Sequence, residues 1–78
     1  MEVTVNLITT ALAPGATVLE LISQHTGREI MPSGQAADGG RLGLAVARNG
    51  EVVARSQWAA VALQEADHID IVTAVQGG

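Results

Sequence analysis

One stretch of this chain carries helical periodicity, and it is bounded at both ends. Thr17 and Glu20 have the spacing of a capping box, a hydroxyl for the amide three residues on and a carboxylate reaching back. Val18, Leu21, Ile22 and His25 then recur at helical spacing. Gly27 suits the left-handed residue just past a helix end, and Ala13-Pro14-Gly15 punctuates the chain upstream. The spacing predicts a helix over 17–26. A lone helix with one apolar stripe cannot bury that stripe by itself, so the rest of the chain must supply a sheet for it. With 78 residues, that means one domain with a small core.

The remaining segments read as strands. Val3, Val5 and Leu7 alternate with Thr4 and Asn6. Ile8 to Leu12 either continues this strand or returns as a second one. Leu44 to Arg48 is a strand with Leu44 and Val46 on one face, and Asn49-Gly50 is a strong hairpin signal because both residues tolerate positive φ. Glu51 to Ala54 returns as its partner. Ser56 is placed to cap a short helical turn running to about Leu63. Glu65-Ala66-Asp67 turns the chain, and His68 to Val75 forms the last strand, with Ile69 and Ile71 pointing one way. The connection 27–42 holds Gly27, Pro32, Gly34, Gly39 and Gly40 and little periodicity. It reads as a long mobile loop, with a short extended piece at Met31-Pro32 and a turn at Asp38-Gly39-Gly40. The order strand, strand, helix, strand, strand, strand makes an α+β domain.

Several function classes fall away. There is no cysteine, hence no thiolate nucleophile, disulfide or cysteine metal site. His25 and His68 show no ligand spacing with carboxylates, so no metal site is expected. Trp58 is the sole aromatic and reads as a packing anchor. Lacking stacking residues and carrying a net charge of −4, the chain is not expected to bind nucleic acid. The glycines at 34–40 lack the Lys-Ser/Thr of a phosphate loop, and Ser56 lacks the glycines of a nucleophile elbow. Glu65, Asp67 and Asp70 read as solvated; Arg55 supports either the tail or a partner. The N-terminal stretch has neither the basic start of a signal peptide nor the length of a membrane span, so a cytoplasmic protein with no membrane partner is expected. All four basic residues are arginine; without lysine the chain cannot accept an isopeptide bond on a side chain.

The chain ends in Gly77-Gly78. Two glycines and a carboxylate make a thin end, able to enter a narrow channel and present a carboxyl group for chemistry. This suggests a carrier whose reactive atom is at its last residue.

Asn49-Gly50-Glu51-Val52-Val53, then Arg55-Ser56-Gln57-Trp58, then Ile69-Asp70-Ile71-Val72 running into Thr73-Ala74-Val75-Gln76-Gly77-Gly78, closely resemble the ThiS family, ubiquitin-like sulfur carriers of bacterial thiamin biosynthesis. Pro14-Gly15-Ala16-Thr17-Val18 resembles the family's entry to its helix. The first half departs from the pattern: Leu7 follows Asn6 where the family commonly has glycine, Ala54 stands where proline is common, and the connection after the helix is longer than expected.

The resemblance implies a β-grasp fold, a mixed sheet of four to five strands on one main helix with first and last strands side by side. It implies a domain over 1–75 and a flexible reactive tail over 76–78. It further implies that an ATP-dependent adenylating enzyme activates the carboxylate of Gly78. Sulfur from a cysteine desulfurase route then makes a thiocarboxylate, and thiazole synthase collects it. The chain would be a protein cosubstrate rather than an enzyme, binding no cofactor itself, with ATP used by its activating partner. Gly77 and Gln76 would thread into that partner. The outward face of the sheet, with Ala45, Ala47, Val72 and Ala74, would dock it. Two alternatives remain: a molybdopterin-type sulfur carrier, disfavoured by Thr73-Ala74-Val75-Gln76 before the glycines, and a β-grasp interaction module with an inert end.

Overall fold

The computed structural model describes residues 1–40 and 42–73, so expectations on Ala74, Val75, Gln76, Gly77 and Gly78 lie outside the described residues. Its elements are β1 (Glu2–Val5), β2 (Ile8–Ala11), α1 (Val18–Thr26), β3 (Leu44–Arg48), β4 (Glu51–Val53) and β5 (His68–Thr73), with a short 3-10 turn at Arg55–Gln57. The five strands form one sheet in the order β2-β1-β5-β3-β4. β1 and β5 run parallel, and every other neighbouring pair is antiparallel. First and last strands therefore lie side by side, as the resemblance implies.

The core lies between α1 and one face of the sheet. Period two sends Val3 and Val5 of β1, Val46 of β3, and Ile69 and Ile71 of β5 to that face, and helical spacing sends Val18, Leu21 and Ile22 to meet them. Trp58 is the packing anchor expected of it, 1% exposed, with its indole N–H donating to the Val53 carbonyl at 3.1 Å. The helix caps form as the sequence predicts. The Thr17 hydroxyl accepts from the Glu20 amide at 3.2 Å while the Glu20 carboxylate accepts from the Thr17 amide at 3.0 Å. Gly27 takes the left-handed conformation, φ 70°, and its N–H donates to the Ser23 carbonyl at 2.9 Å.

Three local readings change. Ile8 to Leu12 returns as a second strand, so the first ends at Val5 and Leu7 leaves the alternating pattern for a turn. Ser56 does not cap the helical turn: Ala54 precedes it, with no side-chain cap bond. The turn starts two residues earlier, at Arg55, which is anchored there. Its guanidinium donates to the carbonyls of Gly34 at 3.2 Å and Leu44 at 2.9 Å and lies over the Trp58 ring, 4.9 Å from its centre. Within the connection after α1, the chain doubles back on itself. Ile30 bridges Ala36, Met31 N–H donates to the Gln35 carbonyl at 2.8 Å, and Ala37 N–H to the Glu29 carbonyl at 2.9 Å. Ile30, Ala36 and Leu42 are buried, so this segment contributes to the core. Gly34 closes the small hairpin at φ 90°, where a β-carbon would sit 2.6 Å from the Arg55 carbonyl oxygen. The turn expected at Asp38-Gly39-Gly40 forms: Asp38 accepts from the Gly40 amide at 2.8 Å and pairs with Arg28 at 3.2 Å.

Both hairpins of the sheet use a two-residue turn with two positive φ values, the geometry that matches strand twist. At Asn49-Gly50 these are 50° and 86°; at Asn6-Leu7 they are 49° and 70°. Leucine is a poor occupant of that second position, where left-handed backbone costs a side-chain-bearing residue about 1–2 kcal/mol. Leu7 is 81% exposed and recovers little of this by packing. Leu7→Gly is therefore expected to stabilise the domain by about 0.5–1 kcal/mol after the entropic penalty of glycine, raising the unfolding midpoint by about 4 °C. A lowered midpoint in thermal denaturation would count against strain at this turn.

Candidate functional site

The last strand, β5, is the central strand of the sheet, and it leads straight into the C-terminal residues. Each of its edges is gripped by the asparagine of one turn. On the β3 side, Asn49 N–H donates to the His68 carbonyl at 2.7 Å, and the Asn49 side-chain oxygen accepts from the His68 amide at 2.9 Å. On the β1 side, Asn6 N–H donates to the Ile69 carbonyl at 2.9 Å. The Asn6 carboxamide oxygen accepts from the Ile71 amide at 2.8 Å, and its nitrogen donates to the Ile71 carbonyl at 3.2 Å. The two turn residues thus do a second job that a glycine in the same place would not do.

Asp67, which precedes β5, is 7% exposed and not solvated as its surroundings in sequence suggest. The physical reason is a ready-made set of donors. Its carboxylate accepts from Arg48 Nε at 2.8 Å, the Gln64 amide at 2.8 Å and Asn49 Nδ2 at 3.0 Å. Burial pushes its pKa up, but these hydrogen bonds and the Arg48 charge outweigh burial and hold it below its ordinary 3.8. Among the described residues, no buried polar side-chain atom lacks a partner.

The face of the sheet turned away from α1 is where the sequence places docking residues. Ala45 lies opposite Val72, and Ala47 sits between Asp70 on one side and Val52 on the other. Val72 is exposed, and so is Val52, at 79%. The structure thus brings Ala45, Ala47 and Val72 together, while Ala74, Gln76, Gly77 and Gly78 lie outside the described residues. Val52 belongs to the same patch and was missed. Period two flags it, since Val53 packs against the core. On the same face, His68 Nε2 and Asp70 Oδ1 lie 3.7 Å apart at the patch margin. Arg55, left open between tail and partner, is instead committed to Gly34, Leu44 and Trp58. A depression of about 450 Å³ beside the post-helix segment has Arg55 as the one ionisable side chain among the described residues that line it. Among the described residues, no group of three histidine or carboxylate side chains is placed to hold a metal ion. No helix among them is long and apolar enough to cross a membrane.

A mixed five-stranded sheet folded over one helix, with parallel first and last strands and the last strand in the middle, is a β-grasp, the ubiquitin-like class. The family comparison carries this further: a model of the ThiS family matches residues 3–78, and the chain belongs to that family. Among solved structures it is similar to the thiamine biosynthesis protein ThiS from Geobacter metallireducens, with a TM-score of 0.71 and 25% identity, covering 100% of both chains. The comparison with curated proteins gives no match. The full coverage includes the first half, where the sequence departs most from the family's pattern.

The Asp67 cluster predicts a pH dependence of definite sign. A carboxyl whose folded pKa is depressed contributes stability above its unfolded value and loses it as pH falls through the folded one. The free energy of unfolding should thus decline as pH drops below about 4, near the ordinary carboxylate value. Asp67→Asn should flatten this decline and cost about 2 kcal/mol at neutral pH by weakening charge-assisted bonds. Denaturant titrations of both proteins from neutral pH to below 3 measure it; parallel curves would remove Asp67 from the account.

Proposed function

We propose that the chain is a sulfur carrier of thiamin biosynthesis, loaded and unloaded at Gly78 by other proteins. The observation that carries this reading is the run of the family match through residue 78, on a fold whose central strand feeds directly into those residues. The similar Geobacter metallireducens structure is named as a thiamine biosynthesis protein, which supports the pathway.

The chemistry follows from the weakness of a carboxylate as an electrophile. Its negative charge repels nucleophiles, and oxide does not leave. An ATP-dependent activating enzyme lets the Gly78 carboxylate attack the α-phosphorus, expelling pyrophosphate and leaving an acyl-adenylate. A persulfide, supplied through a cysteine desulfurase route, then displaces AMP. Cleavage of the new S–S bond by a partner thiol leaves the thiocarboxylate and a disulfide on the partner side. Thiazole synthase takes the sulfur. This chain has no cysteine, so both sulfurs of the persulfide come from outside. Glycine at 78 leaves the acyl carbon uncrowded, and glycine at 77 keeps the entering peptide thin. Ordering such residues costs about 1–2 kcal/mol each, more for glycine, so contacts with the folded domain must help. The patch of Ala45, Ala47, Val52 and Val72 is apolar and lies on and beside the strand that leads to the tail, which supports a docking role for it.

Incubation with ATP and the activating enzyme is expected to release pyrophosphate; adding the sulfur source should replace one terminal oxygen by sulfur in the intact mass. Deleting Gly78 should abolish activation and leave thermal unfolding unchanged. A truncated chain that is still activated would falsify the assignment. Thiazole synthase should accept the thiocarboxylated product; acceptance by molybdopterin synthase instead would move the chain to the other pathway.

The patch makes a separate prediction. Ala45→Arg and Val72→Asp should each raise the carrier concentration for half-maximal activation about tenfold, equivalent to about 1.4 kcal/mol. Unchanged concentration dependence in both variants would place docking elsewhere.

A further inference from the structure

We infer that Asn6 is a positioning residue for the C-terminal tail: by gripping Ile71 it sets where, and in which direction, the last strand releases the residues that follow. The inference rests on the carrier reading above.

The parallel ladder between β1 and β5 is short. It pairs Thr4 with His68 and Val5 with Ile69, and Asn6 N–H adds a bond to the Ile69 carbonyl. The backbone of β1 then leaves the ladder at the Asn6-Leu7 turn and returns as β2. The Asn6 side chain does not leave. One carboxamide presents an acceptor to the Ile71 amide at 2.8 Å and a donor to the Ile71 carbonyl at 3.2 Å, across 65 residues of sequence. In a continuing parallel strand two successive bonding residues would offer that acceptor and that donor; here one carboxamide supplies both. The carboxamide thus prolongs the ladder by one position after the backbone has turned away.

The position of this grip matters because of what lies on the other edge. β3 accompanies β5 to its end, with Leu44 opposite Thr73. Without Asn6, β5 beyond Ile69 would be held from one side only. With it, β5 is held from both edges as far as Ile71, two residues before Thr73: by Asn6 at Ile71 and by β3 at the residues on either side. A tail that must thread a partner's channel while the patch at Val72 and Ala45 is docked needs a fixed departure point. Slack upstream of the tail would be paid as ordering entropy at each binding event. Turn geometry admits asparagine, aspartate or glycine at this position and does not by itself choose among them. Glycine adopts positive φ with less strain, and aspartate has no donor for the Ile71 carbonyl.

The test uses Asn6→Gly, which keeps the turn and removes the carboxamide. Asn49→Gly serves as comparison, removing the corresponding grip at the far end of β5. The first readout is amide exchange at Ile71, which should quicken about tenfold in Asn6→Gly while Leu21 and Val46 stay protected. The second is pyrophosphate release against carrier concentration. For Asn6→Gly, KM should rise about tenfold with kcat within about twofold; for Asn49→Gly, KM should stay within about twofold. A merely structural role would move KM equally in both variants or in neither, and either result overturns the inference. If the unaltered chain releases no pyrophosphate at all, the carrier reading fails and Asn6 loses its tail-positioning role with it. Exchange at Ile71 then still reports whether the grip itself exists, and unchanged exchange would dismiss that as well.

Discussion

The pairing of β1 with β5 is the contact on which the rest depends. Two strands from opposite ends of the chain lie parallel and adjacent, at Thr4–His68 and Val5–Ile69. No short turn can make a parallel pair, so all the chain between them must form the crossover. β2, the helix, the post-helix segment, the β3–β4 hairpin and the 3-10 turn after it all belong to that crossover. With β5 in place, one face of the sheet presents Val3, Val5, Val46, Ile69 and Ile71 as a continuous surface for Val18, Leu21 and Ile22 of α1. Without it, two separate hairpins would each be too small to hold structure in water.

The polar groups around β5 serve this pairing. Asp67 sits where the chain enters the central position, and its carbonyl accepts from the Thr4 amide at 2.9 Å while its carboxylate gathers Arg48, Asn49 and Gln64. It therefore ties β1, the β3–β4 hairpin and the turn before β5 to one another. A buried carboxylate is costly unless its lone pairs are satisfied, and here three donors meet it. Asn49 and Asn6 then hold the strand at His68 and Ile71. The strand is thus secured near its start and close to its end by groups from both hairpins.

Much of this was legible in the sequence because it rests on local rules. The capping box at Thr17 and Glu20, Gly27, the Asn49-Gly50 turn and the alternation around Val46 and Ile69 each state their structure within a few residues. The outward face holding Ala45, Ala47 and Val72 followed from period two alone. What was not legible depends on partners distant in sequence. Asp67 looks like a solvated acid until Arg48 and Asn49 are brought to it. Arg55 carries no sign of its bonds to Gly34 and Leu44, and these move the 3-10 turn away from a Ser56 cap. Asn6 reads as an ordinary strand residue, since its carboxamide acts on Ile71, 65 residues later. Leu7 misled for a different reason. Its apolar side chain fits the alternation, but the register of β2 puts it in a turn, where twist and not hydrophobicity decides the backbone.

These long-range ties bear on how a carrier of this kind divides labour between a rigid and a thin part. Conformational entropy is lost at each docking, so a carrier gains by keeping the number of residues ordered on binding small. A central strand achieves this better than an edge strand, because neighbours on both sides fix its course. β5 has β3 along one edge through Thr73, and β1 and then the Asn6 carboxamide along the other. An edge strand leading to the same terminus would fray inward from its free side, and the channel of a partner would have to order more chain. On the carrier reading, the parallel β1–β5 pair that closes the fold is thus also what keeps the part to be threaded short.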